Sequence, residues 1–152
     1  MEHQMPSCSF QATNGIEANL NDYRGKWLIL YFYPKDSTPG CTLEGQDFRN
    51  HYGDFTKLNA EILGISRDSL KSHETFKCKQ EFPFELISDK NEELCQHFDV
   101  IKMKSMYGKE VRGIERSTFL IDPKGELRKS WRKVNVKGHV EEVLDTLKSL
   151  AK

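Results

Sequence analysis

Apolar residues recur along this chain at two different periods, and each change of period marks an element. Residues 9–20, SFQATNGIEANL, alternate apolar and polar on either side of Asn14-Gly15. That dipeptide accepts the positive φ angles of a tight turn, so an N-terminal β-hairpin is predicted. Trp27 to Tyr33, WLILYFY, is apolar without alternation, as a central strand covered on both faces should be, and Pro34 ends it. From Pro39 the spacing lengthens to three or four residues. Cys41, Phe48, Tyr52 and Phe55 share a helical face, with Thr38 suited to the N-cap and Pro39 to the first helical position. Ala60 to Ser66 reads as a second buried strand, Asp68 or Ser69 caps a helix to about Gln80, and Phe84 to Ser88 is a third strand. A short helix follows over Asn91 to Phe98, and the polar stretch Val100 to Gly113 reads as a loop with no clear period. Ser117 to Ile121 is a fourth strand, turned by Asp122-Pro123-Lys124-Gly125 into a partner over Leu127 to Val134. Val140, Val143, Leu144, Leu147 and Leu150 stripe a closing helix. The order predicts one α/β domain over residues 1–152, with a central mixed β-sheet flanked by helices and a hairpin at its start.

Composition narrows the function. A chain of 152 residues is long enough to bury a full core. Its 23 basic and 23 acidic side chains cancel, so no strong field argues for nucleic acid or an acidic membrane surface. No apolar run approaches the ~18 residues of a membrane span, and the first residues lack the pattern of a secretion signal. A cytoplasmic location is expected. The four cysteines, Cys8, Cys41, Cys78 and Cys95, have wide, irregular separations and no histidine at zinc-ligand spacing. Neither a metal nor a cofactor is expected. In a chain of this class the thiols are inert core groups or catalytic ones.

One thiol stands apart. Cys41 falls in the first turn of its helix, where unpaired backbone N–H groups and the positive end of the dipole favour a thiolate. Around it lie parts that suit attack on a peroxide. Thr38 offers a hydroxyl, Pro34 and Pro39 stiffen the loop, and Gly40 lets the backbone come close to a small substrate. Backbone N–H groups can donate to developing negative charge. What the local sequence lacks is a fixed cation to hold thiolate and substrate, a task suited to arginine.

Pro34, Thr38 and Cys41 spell P-x-x-x-T-x-x-C, the signature of peroxiredoxins. YFYPKDSTPGCTLEGQDFR, SHETF, MYGKEVRGIERSTFLID and WRKVNVKGHVEEVL resemble the bacterioferritin-comigratory (Q-type) branch. The resemblance implies a thioredoxin-like fold and a thiol peroxidase that reduces hydrogen peroxide and organic hydroperoxides. It makes Cys41 the peroxidatic residue, Thr38 and Arg116 its activating partners, and Glu44 a helix residue that helps to position the site. Pro34 and Tyr33 are expected to shape the substrate pocket. Many members carry a resolving cysteine five residues after the peroxidatic one; here that position is Gln46. Others resolve through a cysteine in the second helix, which makes Cys78 the candidate. The product disulfide would be reduced by thioredoxin or a similar dithiol, and the branch leans to monomers. A one-cysteine enzyme recycled by an external thiol stays open.

Cys78 lies about 200° around its helix from the core residue Phe76, so it should face outward between Lys77 and Lys79. Cys95, beside Leu94, and Cys8 read as small hydrophobes. A disulfide needs Cα atoms within about 7 Å, whereas packed helices lie ~8–10 Å apart. Joining Cys41 to Cys78 therefore calls for local melting, eased by Gly45, which weakens its helix by roughly 1 kcal/mol. Trp27, Trp131, Phe32, Phe48, Phe82 and Phe84 read as core, Lys35 and Asp36 as a solvated turn, and Arg128, Arg132 and Lys133 as a solvated face that could steer an electron donor. Two rivals remain. A disulfide oxidoreductase wants C-x-x-C but finds Thr38 three residues before Cys41, and a non-enzymatic interaction module leaves Thr38 and Arg116 without a purpose.

Overall fold

In the computed structural model, which describes residues 9–151, the N-terminal hairpin pairs β1 (Ser9–Gln11) antiparallel with β2 (Glu17–Asn19). Asn14 and Gly15 both take positive φ, as expected. They lie in the tight connection Thr13–Gly15, where Asn14 (φ 62°, ψ 24°) kinks the chain, closed by Ala12 N–H donating to the Ile16 carbonyl at 2.8 Å.

Trp27–Phe32 forms β3, every residue of it buried. α1 (Pro39–Lys57) crosses to β4 (Ala60–Ser66), and α2 (Leu70–Gln80) to β5 (Glu85–Ser88). β3, β4 and β5 run parallel, as strands joined by helical crossovers do. α3 (Glu93–His97) is followed by β6 (Ile101–Met106) and β7 (Lys109–Ile114), then by β8 (Ser117–Ile121), β9 (Leu127–Trp131) and α4 (His139–Leu150). β8 pairs antiparallel with β3 and with β9, giving a mixed five-stranded sheet ordered β5-β4-β3-β8-β9.

Each face of that sheet carries its own core. On one side Ile29, Tyr31, Ile62 and Leu120 meet Phe48 and Phe55 of α1 and Val143 and Leu147 of α4. On the other, Leu30, Phe32, Leu63 and Ile87 meet Phe10 of the hairpin and Leu94 and Phe98 around α3. The two helix caps differ. Ser69 caps α2 by accepting from Ser72 N–H at 3.1 Å. Thr38 occupies the N-cap of α1, but its hydroxyl donates instead to the Lys35 carbonyl at 2.8 Å.

The stretch read as an unperiodic loop is a hairpin. β6 and β7 pair from Ile101↔Ile114 to Met106↔Lys109, and Tyr107 and Gly108 turn the chain with φ of 53° and 78°. Ile114 is buried at its root, while Met103, Tyr107 and Val111 are exposed. With little of either face covered by the core, the strands carry no alternation to read.

Candidate active site

The sheet brings the site together. Cys41 stands in the first turn of α1, nine residues beyond Phe32 at the end of β3. β8 runs antiparallel to β3 with Ser117 opposite Phe32, so Arg116, one residue earlier, emerges beside the same strand end. Its Nη2 donates to Cys41 Sγ at 3.4 Å and its Nη1 to Glu44 Oε1 at 2.7 Å. Gly40 eases this approach, because a Cβ there would lie 3.1 Å from Arg116 Nη2 and press the guanidinium back by a few tenths of an ångström. Arg116 is further fixed through its carbonyl, which accepts from Val134 N–H at 3.0 Å.

The site is charged yet enclosed. Cys41 is 1 % exposed and Glu44 fully buried one turn along the helix. Burial pushes the Glu44 carboxyl up to about 7, against the pull of the adjacent Arg116 charge. Burial opposes the Arg116 charge too, but Glu44 and Cys41 hold its pKa above its ordinary value. Tyr31 lies beneath, and burial together with Glu44 and Cys41 raises its hydroxyl well above the usual phenol range. Neither Tyr31 Oη nor Glu44 Oε2 has a hydrogen-bond partner among the described residues. An open cleft of about 990 Å³ reaches Pro34 and Arg116 and is lined also by Lys102, Met103, Glu115 and Lys133.

This arrangement can be set beside known proteins. The model of the AhpC/TSA family matches residues 1–130. The chain belongs to that family. Peroxiredoxin Bcp of Xanthomonas campestris is 53% identical over 153 residues, covering 98% of this chain and 96% of that protein. Peroxiredoxin Bcp of Bacillus subtilis is 51% identical over 146 residues, covering 96% and 93%. A solved structure of Xanthomonas campestris peroxiredoxin Q superposes with a TM-score of 0.93 at 52% identity, over 98% of this chain and 97% of that one. The fold is thus the thioredoxin-like peroxiredoxin fold, and the chain is a peroxiredoxin, a thiol-dependent peroxidase. The non-enzymatic module is set aside.

The remaining thiols of this peroxiredoxin occupy distinct surroundings. Cys78 is free and exposed near the end of α2, on the outward face. Cys95 is free and fully buried, and burial with the Asp89 carboxylate pushes its thiol well up, which suits a core group. Cys8 lies outside the described residues. α1 and α2 are clasped near Cys78: Gln46 donates to Gln80 Oε1 at 2.9 Å, Arg49 Nη1 donates to the Gln80 carbonyl at 2.8 Å, and Phe82 packs on Gly45.

Pro34 is half-buried on the cleft wall, whereas Tyr33 is fully buried below it and donates to Asp36 Oδ1 at 2.6 Å. Asp36, read as part of a solvated turn, is buried, while its neighbour Lys35 is exposed. Arg132 is not merely solvated, since it donates to the carbonyls of Phe98 and Asp99, each at 2.8 Å. Sequence reasoning misses Asp36, Tyr31 and His73. Only the SHETF motif, which contains His73, pointed toward one of them.

Proposed function

We propose that this peroxiredoxin reduces hydrogen peroxide and organic hydroperoxides at Cys41, and that Cys78 resolves the oxidised thiol. The bridge made by Arg116, at once on Cys41 Sγ and on buried Glu44, carries the reading. A hydroperoxide in the cleft presents its terminal oxygen to the thiolate. Thr38, its own proton engaged by the Lys35 carbonyl, has lone pairs left to accept the hydroperoxide O–H. The Arg116 guanidinium and the first backbone N–H groups of α1 donate to the oxygens as charge develops. Sulfur gives its electron pair to the terminal oxygen, the O–O bond breaks, and the alkoxide or hydroxide leaves and takes up a proton. Cys41 is left as sulfenic acid.

Cys78 then attacks that sulfur, water departs, and a disulfide forms that thioredoxin or a similar dithiol reduces by exchange. One thiol is buried against Arg116 and the other exposed, so the first turn of α1 and the end of α2 open for the two to meet. Solved structures of the Xanthomonas campestris bacterioferritin comigratory protein concern alkyl peroxide reduction, which supports the organic substrates. No helix among the described residues is long and apolar enough to cross a membrane. We place the enzyme in the cytoplasm as a monomeric single domain.

Peroxide consumption with thioredoxin tests the scheme. Cys41→Ser should abolish it, and Cys78→Ser should keep the first turnover but lose thioredoxin-linked cycling. Full cycling in Cys78→Ser would replace the internal disulfide with a one-cysteine route or a different resolver.

A further inference from the structure

Next to the site lies a buried polar hub. The Asp36 carboxylate accepts from Tyr33 Oη at 2.6 Å and Ser72 Oγ at 2.8 Å, and His73 Nδ1 lies 2.7 Å from its Oδ2. His73 is fully buried, and its Nε2 faces the Ile87 carbonyl at 2.9 Å. A carbonyl only accepts, so Nε2 is the donor in that contact. Asp36 N–H in turn donates to Asp68 Oδ2 at 2.8 Å, and Asp68 accepts from Ser66 Oγ at 2.7 Å. The loop after β3 is thereby tied to the end of β4, the first turn of α2 and β5.

A buried pair of this kind contributes little net stability compared with apolar side chains of the same volume. Its position suggests another use. Ser37, directly after Asp36, holds φ at +63°, in the left-handed region that disfavours a residue with a Cβ. Thr38 then returns to an extended conformation at the N-cap of α1. A reversal of that kind persists only where its flanks are over-determined, and the bonds on Asp36 fix one flank.

We propose that Asp36 and His73 are positioning residues for the peroxide step: they pin the loop so that Ser37 reverses the chain and Thr38 is placed for the substrate. The proposal rests on the reading of Cys41 and Thr38 given above. It assigns the hub no contact with the hydroperoxide. Alkylation of Cys41 needs the thiolate and access to it but no hydroxyl at Thr38, whereas peroxide attack also needs Thr38 in place, so losing the pin should slow only the second.

The test compares the stopped-flow rate constant for hydrogen peroxide with the rate of Cys41 carboxamidomethylation by iodoacetamide, followed on the Cys41 peptide by mass spectrometry. Asp36→Asn should slow the peroxide reaction about tenfold, as loss of a hydrogen bond to a charged group implies, and leave alkylation within about twofold. Tyr33→Phe removes one donor and keeps the ring packing. It should give a smaller loss of the same kind, about threefold, and carries the test if Asp36→Asn does not fold. Equal losses in both reactions, or an unchanged peroxide rate in Tyr33→Phe, would overturn the proposal. Cys41→Ser retaining peroxide reduction would overturn the underlying reading together with it.

Discussion

Glu44→Gln should trade activity for stability, and the size of the exchange follows from the site. The Glu44 side chain is fully buried, and burial lifts its carboxyl from an ordinary 4.5 to about 7 although Arg116 pulls it down. Between those values the folded protein holds a proton that the unfolded chain has released. Stability is therefore fully present below about pH 4.5 and falls as pH rises through 7. A difference of about 2.5 units at 1.36 kcal/mol each gives about 3 kcal/mol lost by pH 8. Glutamine keeps the shape, cannot ionise, and should remove that slope. It also takes the charge from the partner of Arg116 Nη1, which should slow peroxide attack by about tenfold. Urea unfolding of both proteins at pH 4.5, 6 and 8 gives the first quantity and stopped-flow oxidation the second. A difference in unfolding free energy that stays constant with pH, or wild type gaining on the variant as pH rises, would refute the reasoning.

Three further outcomes are expected. Burial holds His139, whose Nε2 lies 2.8 Å from Thr118 Oγ1, down at about 4. Its contribution to stability is present above pH 6.5 and lost toward pH 4, opposite in sign to that of Glu44, so His139→Gln should flatten the acid limb when compared with wild type by urea unfolding. Gly45→Ala gains about 1 kcal/mol of helix propensity, but its Cβ would lie 2.3 Å from Phe82 Cζ. Calorimetry should show net destabilisation of about 1–3 kcal/mol, and a raised Tm would contradict that packing. Arg49→Ala removes the donor on the Gln80 carbonyl, so quenched-flow mass spectrometry should find Cys41–Cys78 disulfide forming about threefold to tenfold faster, with the peroxide step unchanged.

Local chemistry was legible in the sequence wherever neighbours in the chain are neighbours in space. Pro34, Thr38 and Cys41 lie within one turn and one helix start, so their spacing alone singles out Cys41 as the candidate nucleophile on its loop. The unbroken apolar run of β3 and the stripe on α4 likewise declare what they bury, because period reports burial on a covered face. β6 and β7 escaped notice for the converse reason, since neither of their faces is well covered. The need for a cation could be argued from chemistry and its residue supplied by resemblance. Arg116 reaches Cys41 only because β8 pairs antiparallel with β3 in one register. Asp36 and His73 were less visible still: two polar residues on separate elements, meeting at 2.7 Å inside the protein. The sequence by itself determined the elements that have a covered face and the candidate nucleophile, through periodicity and contiguity. The tertiary structure decided which distant charges face that nucleophile, because strand pairing and helix packing, rather than chain spacing, set distances between elements.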